Sequence, residues 1–296
     1  MPAISRRSFV HTAALLPAVA AGLSLRKPRI QDSRAIGKTL HSKFAVNIEM
    51  WFGRMSVEDK IRKTAELGFS AVEFWPWRGK NLDAIKAVCA ETGVTITQFT
   101  GWGFSPGLND PKNHEKFTAE IEAGCATAQK LGVKKMCVVG GQDVDGMTQK
   151  EMHDAIVKGL RLAAPIAEKA DVMLVLEPMN IRVDHKGHCL YGSAAPIDIV
   201  QRVGSSHVKI LWDLYHMAIS EGDICRHLRE GFKETGDYQL ADNPGRLEPG
   251  TGEIAYWRVL KEIHELGYRD YIGLECSPEG GDWLRAAQRV AAADKW

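Results

Sequence analysis

Four oxygen-bearing side chains in the second half of the chain each lie at or near the end of a short apolar run. They are Glu177, Asp213, Gln239 and Glu275, which are separated by intervals of 36, 26 and 36 residues. If the runs are neighbouring parallel strands, the four side chains meet at the carboxyl edge of one sheet. Carboxylates held that close repel one another unless a cation lies between them. Because oxygen ligands suit hard divalent ions, the four residues predict a site for Mg²⁺ or Mn²⁺.

For any one acid in such a position, a strand-end cap or a surface ion pair is the commoner explanation. The four together favour the metal site, because acids are rarely buried without a partner. Structural zinc would require Cys and His ligands, whereas the six cysteines are scattered without any C-x-x-C pair. That scatter also argues against a redox motif and a dense disulfide scaffold.

The elements that would position these side chains are eight short apolar runs that alternate with longer segments of helical period. This alternation is typical of a parallel sheet wrapped in helices. Four of the helical segments are followed by a glycine just before the next strand, at Gly68, Gly93, Gly132 and Gly267. The predicted strands span residues 44–48, 71–74, 95–99, 135–139, 172–176, 208–212, 238–241 and 271–274. The predicted helices span residues 56–67, 81–92, 111–131, 148–170, 196–203, 216–233, 254–266 and 281–293.

The strict alternation of eight strands and eight helices favours an α/β fold of the closed (β/α)8 TIM-barrel type. An open doubly wound sheet would require a glycine-rich phosphate fingerprint, and no G-x-G-x-x-G follows the first strand. No linker rich in Pro, Ser or Gly divides the chain, so we expect a single barrel domain over residues 40–296. Its working face would be the carboxyl ends of the strands, where the four residues lie.

Composition and charge exclude several classes of partner. The hydrophobic fraction of 45% and the charged fraction of 25% are close to those of soluble globular proteins. Lys and Arg number 38 against 37 Asp and Glu, and no block of five or six like charges occurs. We therefore expect neither nucleic acid nor an anionic membrane surface as a partner, but a small molecule. A homo-oligomer is possible.

Residues 1–30 have the pattern of an export leader. Arg6 and Arg7 precede a moderately apolar run that reaches about residue 25 and is broken by His11 and Pro17. Paired arginines before such a run resemble a twin-arginine signal. The run is too short and too interrupted to be a membrane span. We expect export to the periplasm, or a cytoplasmic protein if the leader is non-functional.

Several motifs resemble those of the hydroxypyruvate isomerase family, within the xylose-isomerase-like barrels. The matching segments are 45–47 (AVN), 68–74 (GFSAVEF), 176–180 (LEPMN), 212–217 (WDLYHM), 239–246 (QLADNPGR) and 248–254 (EPGTGEI). The resemblance runs from about residue 44 to the last helix. The segment from Asp242 to Glu253 is the most specific, since the glutamates are shared across the whole group.

The resemblance implies that Glu177 and Glu275 are the two proton-transfer residues. It also implies that both glutamates, with Asp213 and Gln239, form the metal shell. Epimerase relatives commonly carry a histidine ligand where this chain has Gln239, which favours the isomerase branch. The third predicted strand departs from the family pattern, because residues 98–100 read QFT where a histidine is expected. The resemblance therefore assigns no substrate contact to this position.

Four further residues are predicted to contact the substrate. His216 follows Asp213 by three residues and could reach a substrate oxygen, although a histidine at a helix start that bonds only to backbone is an equal alternative. Arg246, in the loop after the seventh strand, could hold a carboxylate through two hydrogen bonds. His185 and His188 lie in the loop after the fifth strand.

These features predict a metal-dependent isomerase that interconverts hydroxypyruvate and 2-hydroxy-3-oxopropanoate, or a related small keto acid or sugar, through an enediolate. A sugar epimerase or dehydratase of the same barrel group is the alternative within the fold. A non-catalytic sugar-binding protein would need the pocket but not two proton-transfer groups. A nuclease of this barrel group would need many histidine ligands and a basic groove, and the sequence has neither.

Overall fold

The computed structural model describes residues 36–296, and the predicted leader at 1–30 lies outside them. Eight parallel strands close into a barrel in chain order, with β8 paired to β1. The predicted TIM-barrel fold is therefore confirmed. The strands are β1 (Lys43–Asn47), β2 (Ala71–Pro76), β3 (Thr95–Trp102), β4 (Lys135–Val139), β5 (Met173–Glu177), β6 (Val208–Asp213), β7 (Thr235–Gln239) and β8 (Tyr271–Leu274).

Nine α-helices occur within residues 36–296, one more than the sequence predicts. They are α1 (Val57–Glu66), α2 (Leu82–Thr92), α3 (His114–Leu131), α4 (Gln149–Ala170), α5 (Ala194–Val203), α6 (Leu214–Ser220), α7 (Ile224–Gly231), α8 (Tyr256–Glu265) and α9 (Trp283–Ala293). The extra helix arises because the predicted segment 216–233 breaks at Gly222 and Asp223. Both have left-handed backbone, with φ of 67° and 46°. Glycine and aspartate tolerate that conformation, which a continuing α-helix excludes.

The ends of several helices follow from their sequences. Thr148 caps α4 through a reciprocal pair of hydrogen bonds with Glu151, and Ser56 caps α1 by accepting from the Asp59 amide. Gly93 and Gly132 end α2 and α3 in the left-handed conformation. Such a residue satisfies the last carbonyls of a helix and turns the chain toward the next strand.

Strand β7 begins three residues earlier than predicted. The prediction relied on apolar runs, whereas the first half of β7 is polar and contributes to a buried ion pair. Asp237 is 3% exposed and lies 3.1 Å from the ammonium of Lys135, itself 8% exposed, on β4. The Tyr268 hydroxyl donates to the same carboxylate at 3.0 Å. The attraction between the two charges offsets the free-energy cost of burying them, so a polar sequence can lie inside the barrel. The strand ends at Gln239, two residues before the predicted end.

The core has two parts. A large cluster packs the outer faces of the strands against the helices, with Trp51, Phe74 and Phe99 among its fully buried members. A small cluster lies within the barrel and consists of Cys137, Val139, Val175, Met179 and Leu211. The barrel interior is thus filled by side chains, as in other barrels of eight strands. In the region from residue 36 onward, no helix combines the length and the apolar character needed to cross a membrane.

Gly236→Ala is expected to lower the free energy of unfolding by about 1–3 kcal/mol, because overpacking displaces neighbouring side chains. A Cβ there would lie 2.4 Å from the Met173 sulfur and 2.7 Å from the Lys209 Cβ. Denaturant unfolding followed by circular dichroism measures the change. Gly103→Ala is the matched control, because nothing lies within 4 Å of a Cβ at that position. Equal stability of the two variants would contradict this packing.

Candidate active site

A cavity of about 560 Å³ opens at the carboxyl ends of the strands. Most of the predicted site residues line it, namely Glu177, His185, His216, Gln239, Arg246 and Glu275. Asp213 lies beneath its floor and is fully buried. Three aromatic side chains, Trp75, Trp102 and Phe104, form part of the wall. The structure therefore brings the four predicted metal-site residues to one end of the barrel.

Three carboxylates converge at this end. Glu177 is the last residue of β5, Asp213 is the last of β6, and Glu275 directly follows β8. Each is at most 5% exposed. The Asp213 carboxylate also caps α6 by accepting from the Tyr215 amide at 2.9 Å. Single ligand atoms of Glu177, Asp213 and His216 lie within 4.8 Å of one another.

The burial of these acids disfavours their charged forms. Burial raises the pKa of Glu177 well above its usual range, and the neighbouring charges of Glu275 and Asp213 add to the effect. Burial likewise raises the pKa of Asp213 and that of Glu275, the latter to about 6, while Arg246 opposes both shifts. The site therefore lacks positive charge, since one guanidinium does not balance three carboxylates.

Arg246 is the cation that the chain itself places among these acids. One of its terminal nitrogens donates to Glu275 at 2.6 Å and to Asp213 at 3.2 Å. Its backbone is left-handed, with a φ of 55°. The loop that carries it is held by Asp242, which accepts from the amides of Gly250 at 2.8 Å and Ile254 at 3.1 Å. The Arg246 side chain therefore projects from a loop whose backbone is held by hydrogen bonds.

His216 is held in a single tautomer by Asn180. The Asn180 amide oxygen accepts from the backbone of Val183 at 3.0 Å and Asp184 at 3.1 Å, so its NH₂ group must face the ring. That group donates to the His216 Nδ1 at 2.7 Å. Burial lowers the pKa of His216 well below its usual value, so the ring is neutral with its proton on Nε2. In this tautomer the Asp213 carboxylate, 3.5 Å away, is an acceptor within reach of Nε2–H, whereas the Arg246 nitrogen 3.4 Å away is itself a donor.

Gln239 presents an amide oxygen at the end of β7. Its NH₂ group donates to the Glu73 carboxylate at 2.7 Å. Its Oε1 is buried and has no hydrogen-bond partner among residues 36–296. In the strand register Gln239 is the direct neighbour of Asp213. A buried amide oxygen beside a carboxylate suits a hard divalent cation, so Gln239, Glu177, Asp213 and Glu275 are the residues that could hold one.

The two loop histidines have different environments. His185 lines the cavity and stacks on Phe104, with the ring centres 4.9 Å apart. His188 is 1% exposed and is not among the cavity-lining residues. Its Nε2 accepts from the Gly141 amide at 3.2 Å and its Nδ1 lies 2.9 Å from the Leu190 carbonyl oxygen. The structure thus places His185, but not His188, where a substrate could reach it.

Sequence reasoning missed several polar residues that hold the site together. Strands β1, β2 and β3 carry Asn47, Glu73 and Gln98, and all three line the cavity. Each is a polar residue within an apolar strand, and this pattern could have identified the three residues from the sequence. The thiol of Cys137, to which the sequence assigned no chemistry, donates to Glu177 at 3.3 Å. Thr100, in the segment 98–100 where a histidine is expected from the sequence, also lines the cavity.

Comparison with protein families gives a match to the model described as xylose isomerase-like TIM barrel over residues 61–293. The chain belongs to this family. Hydroxypyruvate isomerase from Escherichia coli is 31% identical over 243 residues, which are 80% of this chain and 94% of that protein. The 2-oxo-tetronate isomerase of Cupriavidus necator is 28% identical over 255 residues, covering 82% and 97%.

A solved structure has the same barrel. It is an AP endonuclease, family 2, from Brucella melitensis, with a TM-score of 0.76 and 24% identity over 82% of this chain and 98% of that one. This likeness shows the fold alone. The relatives that match most of the chain in sequence are isomerases, and the chain is an isomerase of the xylose isomerase-like family.

Asn180→Leu is expected to release the His216 tautomer, because it removes the donor that keeps Nδ1 unprotonated. In ¹⁵N NMR of the wild type, Nδ1 of His216 should have the shift of an unprotonated nitrogen and Nε2 that of a protonated one. The variant should populate both tautomers, with isomerase activity lowered about tenfold or more. Asn113→Leu is the control, since Asn113 bonds to the Gly107 carbonyl remote from His216. A protonated Nδ1 in the wild type would contradict this assignment.

Proposed function

We propose that the protein is a metal-dependent isomerase that moves a carbonyl group between adjacent carbons of a small 2-keto acid. Hydroxypyruvate, converted to 2-hydroxy-3-oxopropanoate, is the first candidate, and 2-oxo-tetronate is its four-carbon counterpart. The observation that carries the proposal is a pair of buried carboxylates, Glu177 and Glu275, which face one cavity. Relatives named for these two substrates match at least 80% of the chain.

The reaction requires a proton to leave the hydroxyl-bearing carbon and a proton to return to the neighbouring carbon. One of the two glutamates accepts the first proton as a base, and the other supplies the second as an acid. The hydroxyl proton moves at the same time from one substrate oxygen to the other, so the product is an isomer. Raised pKa values suit this work, because burial brings the pKa of Glu275 to about 6, near neutral pH.

Charge develops on the substrate oxygens as the first proton leaves. His216 lines the cavity, and its Nε2–H would donate to one of these oxygens. A divalent ion, held by Glu177, Asp213, Gln239 and Glu275, would supply the positive charge that stabilises the enediolate, by several kcal/mol. Mg²⁺ and Mn²⁺ fit this donor set of three carboxylates and one amide oxygen.

Arg246 gives the site a means to recognise a carboxylate. It lines the cavity and its two nearest acids are Glu275 and Asp213. Once a divalent ion balances those acids, the guanidinium can donate to the substrate carboxylate instead. The aromatic wall formed by Trp75, Trp102 and Phe104 would exclude water from the reacting carbons.

The size of the cavity favours one second candidate. Hydroxypyruvate has seven heavy atoms, which would occupy about 210 Å³ even at the spacing of liquid water, whereas the cavity measures about 560 Å³. A longer sugar or sugar acid would use the remaining space along the aromatic wall. Epimerisation of such a substrate needs the same two proton-transfer residues, and a substrate panel separates it from carbonyl transfer.

Glu177→Gln and Glu275→Gln should each lower substrate deuterium exchange by at least about 10²-fold, because each removes one proton-transfer group. The assay follows label uptake by NMR in deuterated water over a panel of keto acids, ketoses and longer sugars, with and without Mn²⁺. Glu262→Gln is the matched control, because Glu262 is equally buried but lies on α8, paired with Arg229 and Arg258.

Full exchange in both active-site variants would refute the proposed chemistry. Binding of a panel compound without any exchange in the wild type would favour a non-catalytic sugar-binding protein. Exchange at a carbon that keeps its hydroxyl group would favour an epimerase.

Arg246→Met should raise KM for keto acids by about 10–100-fold, because it removes a hydrogen bond between charged groups. The rise should be absent for a neutral ketose of the same length, because the arginine recognises the carboxylate. Steady-state kinetics on both substrates measures the difference. Arg229→Met serves as the control, since Arg229 lies on α7 and pairs with Glu262. An equal rise for both substrates would show that Arg246 has another role.

A further inference from the structure

Glu73 is a buried acid inside the barrel to which the proposed reaction assigns no task. It lies on β2, is 2% exposed and borders the floor of the cavity. The barrel leaves room for it by having a glycine opposite, since a Cβ at Gly273 would lie 2.3 Å from the Glu73 Oε2. Within residues 36–296, Glu73 forms no salt bridge to Lys, Arg or His.

Three amide groups, from three different strands, surround this carboxylate as donors. Asn47 Nδ2 donates to Oε1 at 3.1 Å, Gln239 Nε2 donates to Oε1 at 2.7 Å, and Gln98 Nε2 donates to Oε2 at 3.1 Å. A carboxylate can accept all three bonds, because it offers acceptor sites on both oxygens. The cluster therefore joins β1, β2, β3 and β7 across the inside of the barrel.

The orientation of the Gln239 amide follows from this contact. The two ends of an amide have nearly the same shape, and the hydrogen-bond partners decide which end faces which way. Because Glu73 is an acceptor, it holds the NH₂ end of Gln239. The oxygen end must then face away from Glu73, and Oε1 is the buried atom without a hydrogen-bond partner in the described chain.

We propose that Glu73 is a positioning residue that holds the Gln239 amide with its oxygen directed toward the divalent cation. The inference rests on the metal site of the proposed function. Glu73 does not touch the cation or the substrate; it acts through Gln239. Partners of this kind commonly change metal affinity by about 10–100-fold when they are replaced.

Two substitutions at position 73 separate the acceptor role of Glu73 from its charge. Glu73→Leu removes both acceptor oxygens, so nothing fixes which end of the Gln239 amide faces the cavity. Glu73→Gln keeps one acceptor end. Asn47 and Gln239 donate to the same oxygen, and Asn47 cannot turn because its Oδ1 accepts from the Glu49 amide at 3.1 Å. The glutamine oxygen therefore takes the place of Oε1, Gln98 turns instead, and the Gln239 amide keeps its orientation.

Mn²⁺ titration of the whole protein, followed by the EPR signal of free Mn²⁺, gives the affinity without any turnover. Glu73→Leu should bind Mn²⁺ about 10–100-fold more weakly than the wild type. Glu73→Asp should weaken binding as well, since it keeps the charge but draws the carboxylate back from Gln239. Glu73→Gln should bind Mn²⁺ to within about threefold of the wild type, because it keeps the acceptor that holds the Gln239 amide.

Glu262→Gln is again the control, as a buried glutamate outside the barrel, and should leave Mn²⁺ affinity unchanged. Wild-type affinity in Glu73→Leu, or a loss in Glu73→Gln as large as that in Glu73→Leu, would overturn the proposal. If Glu73→Leu does not fold, Glu73→Asp decides: affinity equal to that of the wild type overturns the proposal and a loss supports it. Absence of Mn²⁺ binding by the wild type would instead refute the metal site and this inference together.

Discussion

Three buried carboxylates lie together at one end of a closed barrel, and their mutual repulsion is the constraint that the rest of the site must satisfy. Glu177, Asp213 and Glu275 come from strands whose hydrogen bonds fix their spacing, so the acids cannot separate. Within the described residues, Arg246 bonds to two of them and supplies one positive charge. The remaining negative charge requires either protons or a bound cation. A site that takes protons readily, and that would accept the proposed divalent ion, suits proton transfer beside a developing oxyanion.

The loop after β7 gives the most specific sequence motif a structural reason. Asp242 binds the amides of the residues that follow it, and the buried Glu248 accepts from Arg289 and from the Glu279 amide. These bonds tie the loop to its own start and to α9. Arg246 lies between the two anchors with a left-handed backbone. The motif therefore specifies a rigid platform, whose purpose is to direct one guanidinium into the cavity.

The sequence was sufficient to predict the barrel fold and the acidic residues at the strand ends, because both follow from local patterns. Most strands are apolar runs, and Glu177, Asp213 and Glu275 lie where three of those runs end. The contacts that orient the site could not be predicted, since they join residues far apart in the chain: Glu73 and Gln239 are 166 residues apart. The division between α6 and α7 was also missed, because it depends on two left-handed residues rather than on apolar spacing.

The polar residues around the cavity fall into two groups with different tasks. Those on the last four strands present oxygen atoms to the cavity, whereas Asn47 and Gln98, on the first strands, use amide donors to surround Glu73. Gln239 belongs to both groups, because one end of its amide bonds to Glu73 and the other is a free acceptor. The two ends of an amide have nearly the same shape, so a neighbouring acceptor must fix which end faces the cavity. In the proposed site, the acid on β2 and the amide on β7 therefore act as one unit.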